Sequence, residues 1–142
     1  MFSRSEAKKL REDFWIAFGK SYPRKWILYN TKIKDFSFKF YFDTTRAMVS
    51  LDIESKDLEK RIELWEKVIS LKAILLENYL PEAQFDEYAH VENQTELSRI
   101  YVGLDQVSIY NKDTWQKTML FLYENMLKFE TFFEDFEEIF LD

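Results

Sequence analysis

Phe36-Ser37-Phe38-Lys39-Phe40-Tyr41-Phe42 and, after a gap of four residues, Ala47-Met48-Val49-Ser50-Leu51-Asp52-Ile53 decide the fold. Both runs alternate with a period of two, the signature of half-buried β-strands. Asp43-Thr44-Thr45-Arg46 is all that separates them, so they form a hairpin. Turning about Thr44 and Thr45 sets Phe42 opposite Ala47, Phe40 opposite Val49, Phe38 opposite Leu51 and Phe36 opposite Ile53. All eight apolar side chains then share one face. Thr-Thr is a poor two-residue turn, and a four-residue loop in the same register is the alternative.

Working outward, Ser3-Arg4-Ser5-Glu6 has the spacing of a capping box and predicts a first helix over about Ser5 to Ser21. Its apolar stripe is Leu10, Phe14, Ala17 and Phe18. Trp26 to Tyr29 is read as a short additional strand. After the hairpin, Ser55 or Asp57 can cap a helix that runs to about Leu80 and stops at Pro81, with Leu58, Ile62, Trp65, Ile69, Leu76 and Tyr79 as its apolar face. Two further strands are expected near Phe85 to Val91 and Ser98 to Leu104, separated by the polar stretch Glu92 to Glu96. A last helix starts near Asn111 or Asp113 and carries Trp115, Met119, Leu122, Met126, Phe129, Phe133, Phe136 and Phe140 at alternating spacings of four and three. The order α-β-β-α-β-β-α predicts an α+β fold: one domain over residues 1–142, with an antiparallel sheet of four to five strands and three helices packed mainly on one face.

The 142 residues contain no cysteine, which removes disulfides, thiolate metal sites and cysteine nucleophiles. Only two glycines and two prolines leave little chain for long loops. The basic N-terminus lacks a signal-peptide apolar stretch, and no apolar run is long enough to span a membrane, so the cytoplasm is the expected compartment and no membrane partner is expected. Charge is uneven: residues 1–34 hold nine Lys or Arg against three acids, and residues 124–142 hold seven acids against Lys128 alone. Either the two ends fold together or they present two solvated faces.

Arg11-Glu12-Asp13-Phe14-Trp15 in the first helix, the strand pair, the long second helix, Ser98-Arg99-Ile100-Tyr101-Val102 and the Asp113-Thr114-Trp115 helix start together resemble the bacterial domain of unknown function 4268 family. The resemblance covers nearly the whole chain and rests on apolar, structural motifs, so it implies a fold and brings over no catalytic residues. Members look like free-standing domains or C-terminal modules behind nuclease-like domains, which implies a link to nucleic-acid metabolism. This chain carries no such nuclease-like partner, and it departs from the family in lacking a glycine-rich loop between the first helix and the first strand.

Glu54-Ser55-Lys56 matches the Glu-x-Lys half of a restriction-type nuclease site, in which two acids hold Mg²⁺ and a lysine steers the attacking water. Asp43 lies at the far end of the hairpin, and the register makes Asp35 the second acid. The competing reading is a solvated strand end whose serine caps the next helix. His90, the single histidine, is a general-base candidate near Glu87 or Glu92, or an ordinary surface residue. Ser-His-Asp, glycine-rich phosphate and HExxH patterns are absent, and no metal or cofactor is implied.

Arg11, Lys20, Arg24, Lys25, Lys32 and Lys34, interleaved with Tyr22, Trp26 and Tyr29, suit phosphate contacts plus base stacking. They equally suit a solvated face closed by core aromatics. On the last helix Phe121, Phe132 and Ile139 fall off the main stripe and need cover from the sheet and second helix or from a second copy, with Glu130, Glu134, Glu137 and Glu138 bordering the patch. The leading expectation is a non-enzymatic binding module for an unknown protein partner. A metal-dependent nuclease or nuclease accessory is the alternative.

Overall fold

A computed structural model describes residues 2–91 and 95–142. Helix α1 spans Arg4–Ser21, and its capping box is formed: the Ser3 hydroxyl accepts from the Glu6 N–H at 3.2 Å, and Glu6 accepts from the Ser3 N–H. Strands β1 (Phe36–Phe42) and β2 (Arg46–Ile53) pair antiparallel in the expected register, Phe36 to Ile53 through Phe42 to Ala47. The turn closes with Asp43 N–H donating to the Arg46 carbonyl at 2.9 Å. Neither threonine adopts positive φ; the Asp43 carboxylate instead gathers the Thr45 and Arg46 amides at 2.8 Å each.

Helices α2 (Leu58–Ser70) and α3 (Lys72–Asn78) precede β3 (Gln84–His90) and β4 (Glu96–Asp105). A 3-10 turn at Lys112–Thr114, capped by Asn111, leads into α4 (Trp115–Asp135), and α5 (Glu137–Leu141) ends the chain. The sheet order is β1-β2-β4-β3, antiparallel throughout. Its apolar face packs on the helices: Phe14 meets Phe42 at 4.7 Å between ring centroids, Phe38 meets Phe129 at 5.9 Å, and Trp65 meets Phe85 at 6.2 Å. None of the described helices is long and apolar enough to cross a membrane.

Five expectations are corrected. Among the described residues five α-helices stand where three were expected, because two long runs break without proline or glycine. At the first break the Ser70 hydroxyl donates to the Lys67 carbonyl at 2.6 Å and Leu71 N–H bonds back only three residues, to Val68, which turns Leu71 and Leu75 into the core. At the second, Phe136 leaves the helical region and α5 swings Phe140 between Phe36, Phe132 and Phe133.

The buried face of α2 is Arg61, Leu64, Trp65 and Val68, leaving Leu58, Ile62 and Ile69 exposed. Arg61 is tolerated inside because Glu96 pairs with it at 2.5 Å and the Glu96 carbonyl accepts a second bond. Trp26 to Tyr29 is a turn rather than a strand, since Leu28 sits at φ 49°. Its carbonyl still accepts from Phe38 N–H at 3.0 Å, covering part of the β1 edge.

Phe132, expected at an interface, is wholly buried against Tyr79, Phe136 and Phe140. Glu130, expected on the surface, is 1% exposed: it accepts from Arg24 at 2.8 Å and from Ile27 N–H at 2.6 Å. With the Lys32–Glu137 pair at 3.9 Å, this contact folds the basic and acidic ends of the chain together.

Candidate functional site

On the sheet face turned away from the helices, alternation puts Lys39 and Tyr41 from β1, Arg46, Met48, Ser50 and Asp52 from β2, and Arg99 and Tyr101 from β4 side by side. Asp52 stands out as a carboxylate that is 0% exposed on this face, where Met48 and Ser50 of β2 are buried as well. Its ladder partner is Arg99, whose Nε and Nη2 donate to Oδ1 and Oδ2 at 2.8 Å each, a bidentate fork. Lys39 Nζ lies 3.5 Å from Asp52 Oδ2 and also pairs with Glu54, the residue just past the end of β2. Hydrogen bonding to Asp52, partly opposed by burial, raises the Arg99 pKa further above its already high value. Arg99 stays charged and Lys39 pairs with both Asp52 and Glu54, so the two carboxylates have cationic partners within the sheet.

Above this network lies a cleft of about 350 Å³. Lys39, Arg46 and Arg99 supply its cations, Glu54 one carboxylate, and Met48 and Leu97 an apolar floor. His90 and Val91 close one side. Arg46 opens β2 and is exposed, with its guanidinium 6.0 Å from the centre of the Tyr41 ring. The Tyr41 hydroxyl donates to Asp43 at 2.7 Å, which fixes the ring beneath it. Among the described residues no carboxylate pairs with Arg46.

The string read as half of a nuclease site comes together only in part. Glu54 N–H donates to the Asp35 carbonyl at 2.7 Å, so the two residues are neighbours as the register requires. Their carboxylates do not converge: that of Glu54 goes to Lys39, while Asp35 is exposed at φ 62° and Lys56 is exposed ahead of α2. Ser55 is buried and its hydroxyl accepts from Asp57 N–H, while Asp57 caps α2. Among the described residues no group of three or more His, Asp and Glu side chains is placed to hold a metal ion. His90 is exposed and lies 4.0 Å from Glu96, a neighbour not among those expected; of the expected Glu87 and Glu92, the latter lies outside the described residues.

The basic segment divides. Arg24 is held by Glu130 and lies 4.7 Å over Trp26, Arg11 donates to the Tyr110 hydroxyl at 2.9 Å, and Trp26 packs on Phe18, Phe40 and Tyr123. Lys20, Lys25, Lys32 and Lys34 face solvent, with Tyr29 beside them 77% exposed.

The sequence profile of the family described as Domain of unknown function (DUF4268) matches residues 10–137. The chain belongs to that family. The match takes in the hairpin, all four strands and α4, and therefore every residue of the cleft. No curated protein and no solved structure matches the chain. The DUF4268 description names no activity, so what the cleft can do rests on its own chemistry.

Sequence reasoning overlooked Arg99, Lys39 and Arg46 as site residues. The available signal was the alternation of β4, which puts Arg99 on the side opposite Ile100 and Val102, and the position of Lys39 opposite Phe38 and Phe40.

Proposed function

We propose that this DUF4268 chain is a non-enzymatic recognition module whose working surface is the polar face of its sheet. One observation carries the reading: Asp52 and Glu54 are neutralised by Arg99 and Lys39 instead of standing open to a metal ion. A restriction-type site needs its acids free to bind Mg²⁺ and a lysine free to steer water. Here the lysine is shared by the acids, and the arrangement fixes cations around a cleft. In this reading the module is cytoplasmic, and a protein partner ranks ahead of nucleic acid, because Arg11, Arg24 and Trp26 are engaged inside the fold. Homodimerisation is left with Phe121 and Ile139, since Phe132 is core.

The second reading, a metal-dependent nuclease or nuclease accessory, is supported by the placement of Asp52 and Glu54 around one lysine on a single sheet face. Incubating the purified chain with plasmid and single-stranded oligonucleotides in Mg²⁺ separates the two. The recognition module leaves the substrates intact. Mg²⁺-dependent cleavage that disappears in Glu54→Ala and Lys39→Ala would overturn it.

A further inference from the structure

We propose that the free edge of β3 joins two copies of this chain, paired antiparallel about Phe85 and covered by the exposed flank of α2. The inference goes beyond the recognition reading and does not depend on it, and the surface is separate from Phe121 and Ile139. β3 ends the sheet order β1-β2-β4-β3, so one of its sides has no strand neighbour. Alternation fixes which backbone groups face that side. Phe38 N–H leaves the sheet toward Leu28, and Phe38 stands opposite Leu51, Leu51 opposite Ile100 and Ile100 opposite Phe85. Bonded and unbonded pairs alternate across these ladders, so the Phe85 N–H and C=O point out of the sheet. Neither has a partner among the described residues. The ladder is irregular between Asp86 and Ala89, where the Ser98 hydroxyl takes the Glu87 carbonyl at 2.7 Å, so regular pairing is confined to residues 83–87.

The helix above this edge carries the matching apolar surface. Trp65 of α2 packs on Phe85 at 6.2 Å, and Leu58, Ile62 and Ile69 line up with Trp65 at whole helical turns. They are 52%, 38% and 38% exposed, while Arg61, Leu64 and Val68 on the other side of Trp65 are buried. The stripe therefore overhangs the sheet edge. A second β3 brings a second α2 with the same stripe, so each copy covers the other's, as an isologous contact requires.

Charge selects the register. Centred on Phe85, the pairing sets Gln84 against Asp86 and Ala83 against Glu87 of the second copy, and no two acids meet. A centre at Asp86 would oppose Asp86 to itself, and a centre at Gln84 would oppose Glu82 to Asp86. Asp86 keeps Arg99 as its ladder partner within its own chain. The cation nearest the axis is Lys72, 4.9 Å over the Phe85 ring, which is exposed and free to turn to solvent. The two-fold axis stands perpendicular to the sheet, so both polar faces come to lie on one side of a single continuous sheet.

Sedimentation velocity of the full chain between about 1 and about 200 μM tests this, the range expected of a small, weak interface. The wild type should pass from monomer to dimer across it. Ile62→Lys, at an exposed position, should keep the melting temperature and abolish the dimer. Gln84 is exposed and meets Asp86 of the second copy twice, once on each side of the axis. Gln84→Lys should therefore tighten the dimer about fivefold and Gln84→Glu should weaken it by about as much. That opposite response reads out the register, which a dimer formed through another surface would not show. A wild type that remains monomeric throughout overturns the proposal, and so does a dimer that neither Ile62→Lys nor the two Gln84 variants alter. Either failure leaves the recognition module standing, whereas Mg²⁺-dependent cleavage would remove the module without bearing on the dimer.

Discussion

Asp52 and Arg99 face each other directly across the β2–β4 ladder, joined by two hydrogen bonds of 2.8 Å, with the carboxylate wholly withdrawn from water. A buried carboxylate that loses its partner must be desolvated without compensation, which costs about 3–5 kcal/mol. Arg99→Ala is therefore expected to destabilise the chain by about that amount in urea titrations, with Lys39 unable to replace a bidentate fork. The double variant Asp52→Ala, Arg99→Ala should cost clearly less than the sum of the two single changes, because it removes the charge with its partner. Additive losses would mean that the pair is not coupled.

Phe132 separates core from interface on the last long helix. It is fully buried among the rings of Tyr79, Phe136 and Phe140, so Phe132→Ala should cost about 3–5 kcal/mol through the cavity it leaves. Phe132→Glu should not fold at all. Ile139→Glu, at a side chain 40% exposed, should leave the melting temperature nearly unchanged, and sedimentation of that variant beside the wild type reports whether this flank joins two copies. A folded Phe132→Glu would contradict the packing.

The hairpin was legible because alternation and turn position constrain one another: Phe36 meets Ile53 only if Phe42 meets Ala47, and a slip of one residue in either strand would turn its four apolar side chains to the opposite face. The stripe of α4 was legible for a similar reason. Periodicity reports which face a residue takes, however, and not which charged residues of that face pair with one another. Asp52 and Arg99 are 47 residues apart, Arg24 and Glu130 106, so neither pair can be read before the strands and helices are placed. The face of α2 was misassigned because an arginine adds nothing to an apolar stripe, although Glu96 at the start of β4 lets Arg61 lie inside. The break at Leu71 depends on a serine hydroxyl competing for a helix carbonyl, which composition alone does not reveal.

Lys32 lies in a segment where three residues without glycine's freedom, Leu28, Lys32 and Asp35, adopt positive φ. At φ 68° a side chain crowds its own carbonyl at a cost of about 1–2 kcal/mol. Glycine removes that crowding but gives the unfolded chain more freedom, an opposing effect of about 0.5–1 kcal/mol. The ion pair to Glu137 is 3.9 Å long with the lysine largely exposed, and contributes little. Lys32→Gly should therefore stabilise the chain by about 0.5–1 kcal/mol in chemical denaturation, and Lys32→Ala should not. Destabilisation by glycine would show that the lysine side chain holds the segment in place.

Asp43 ties the hairpin turn to the pH scale. Burial pushes its carboxyl up, but the Thr45 amide, the Tyr41 hydroxyl, the Arg46 amide and the Thr45 hydroxyl all donate to it, and together they hold its pKa below the ordinary value of 3.8. A carboxyl whose pKa is depressed on folding adds stability above its unfolded pKa and loses it as the pH falls through the lower folded value. Asp43→Asn keeps the side-chain shape and one acceptor oxygen while removing the charge that strengthens those bonds. It should cost roughly 1 kcal/mol at neutral pH. The gap between variant and wild type should stay constant down to about pH 4 and close below it, as the wild-type carboxyl takes up a proton. Urea midpoints for both chains between about pH 7 and about pH 2.5 measure this, and a gap that persists unchanged at the acidic end would show that the turn depends on the shape of Asp43 and not on its charge.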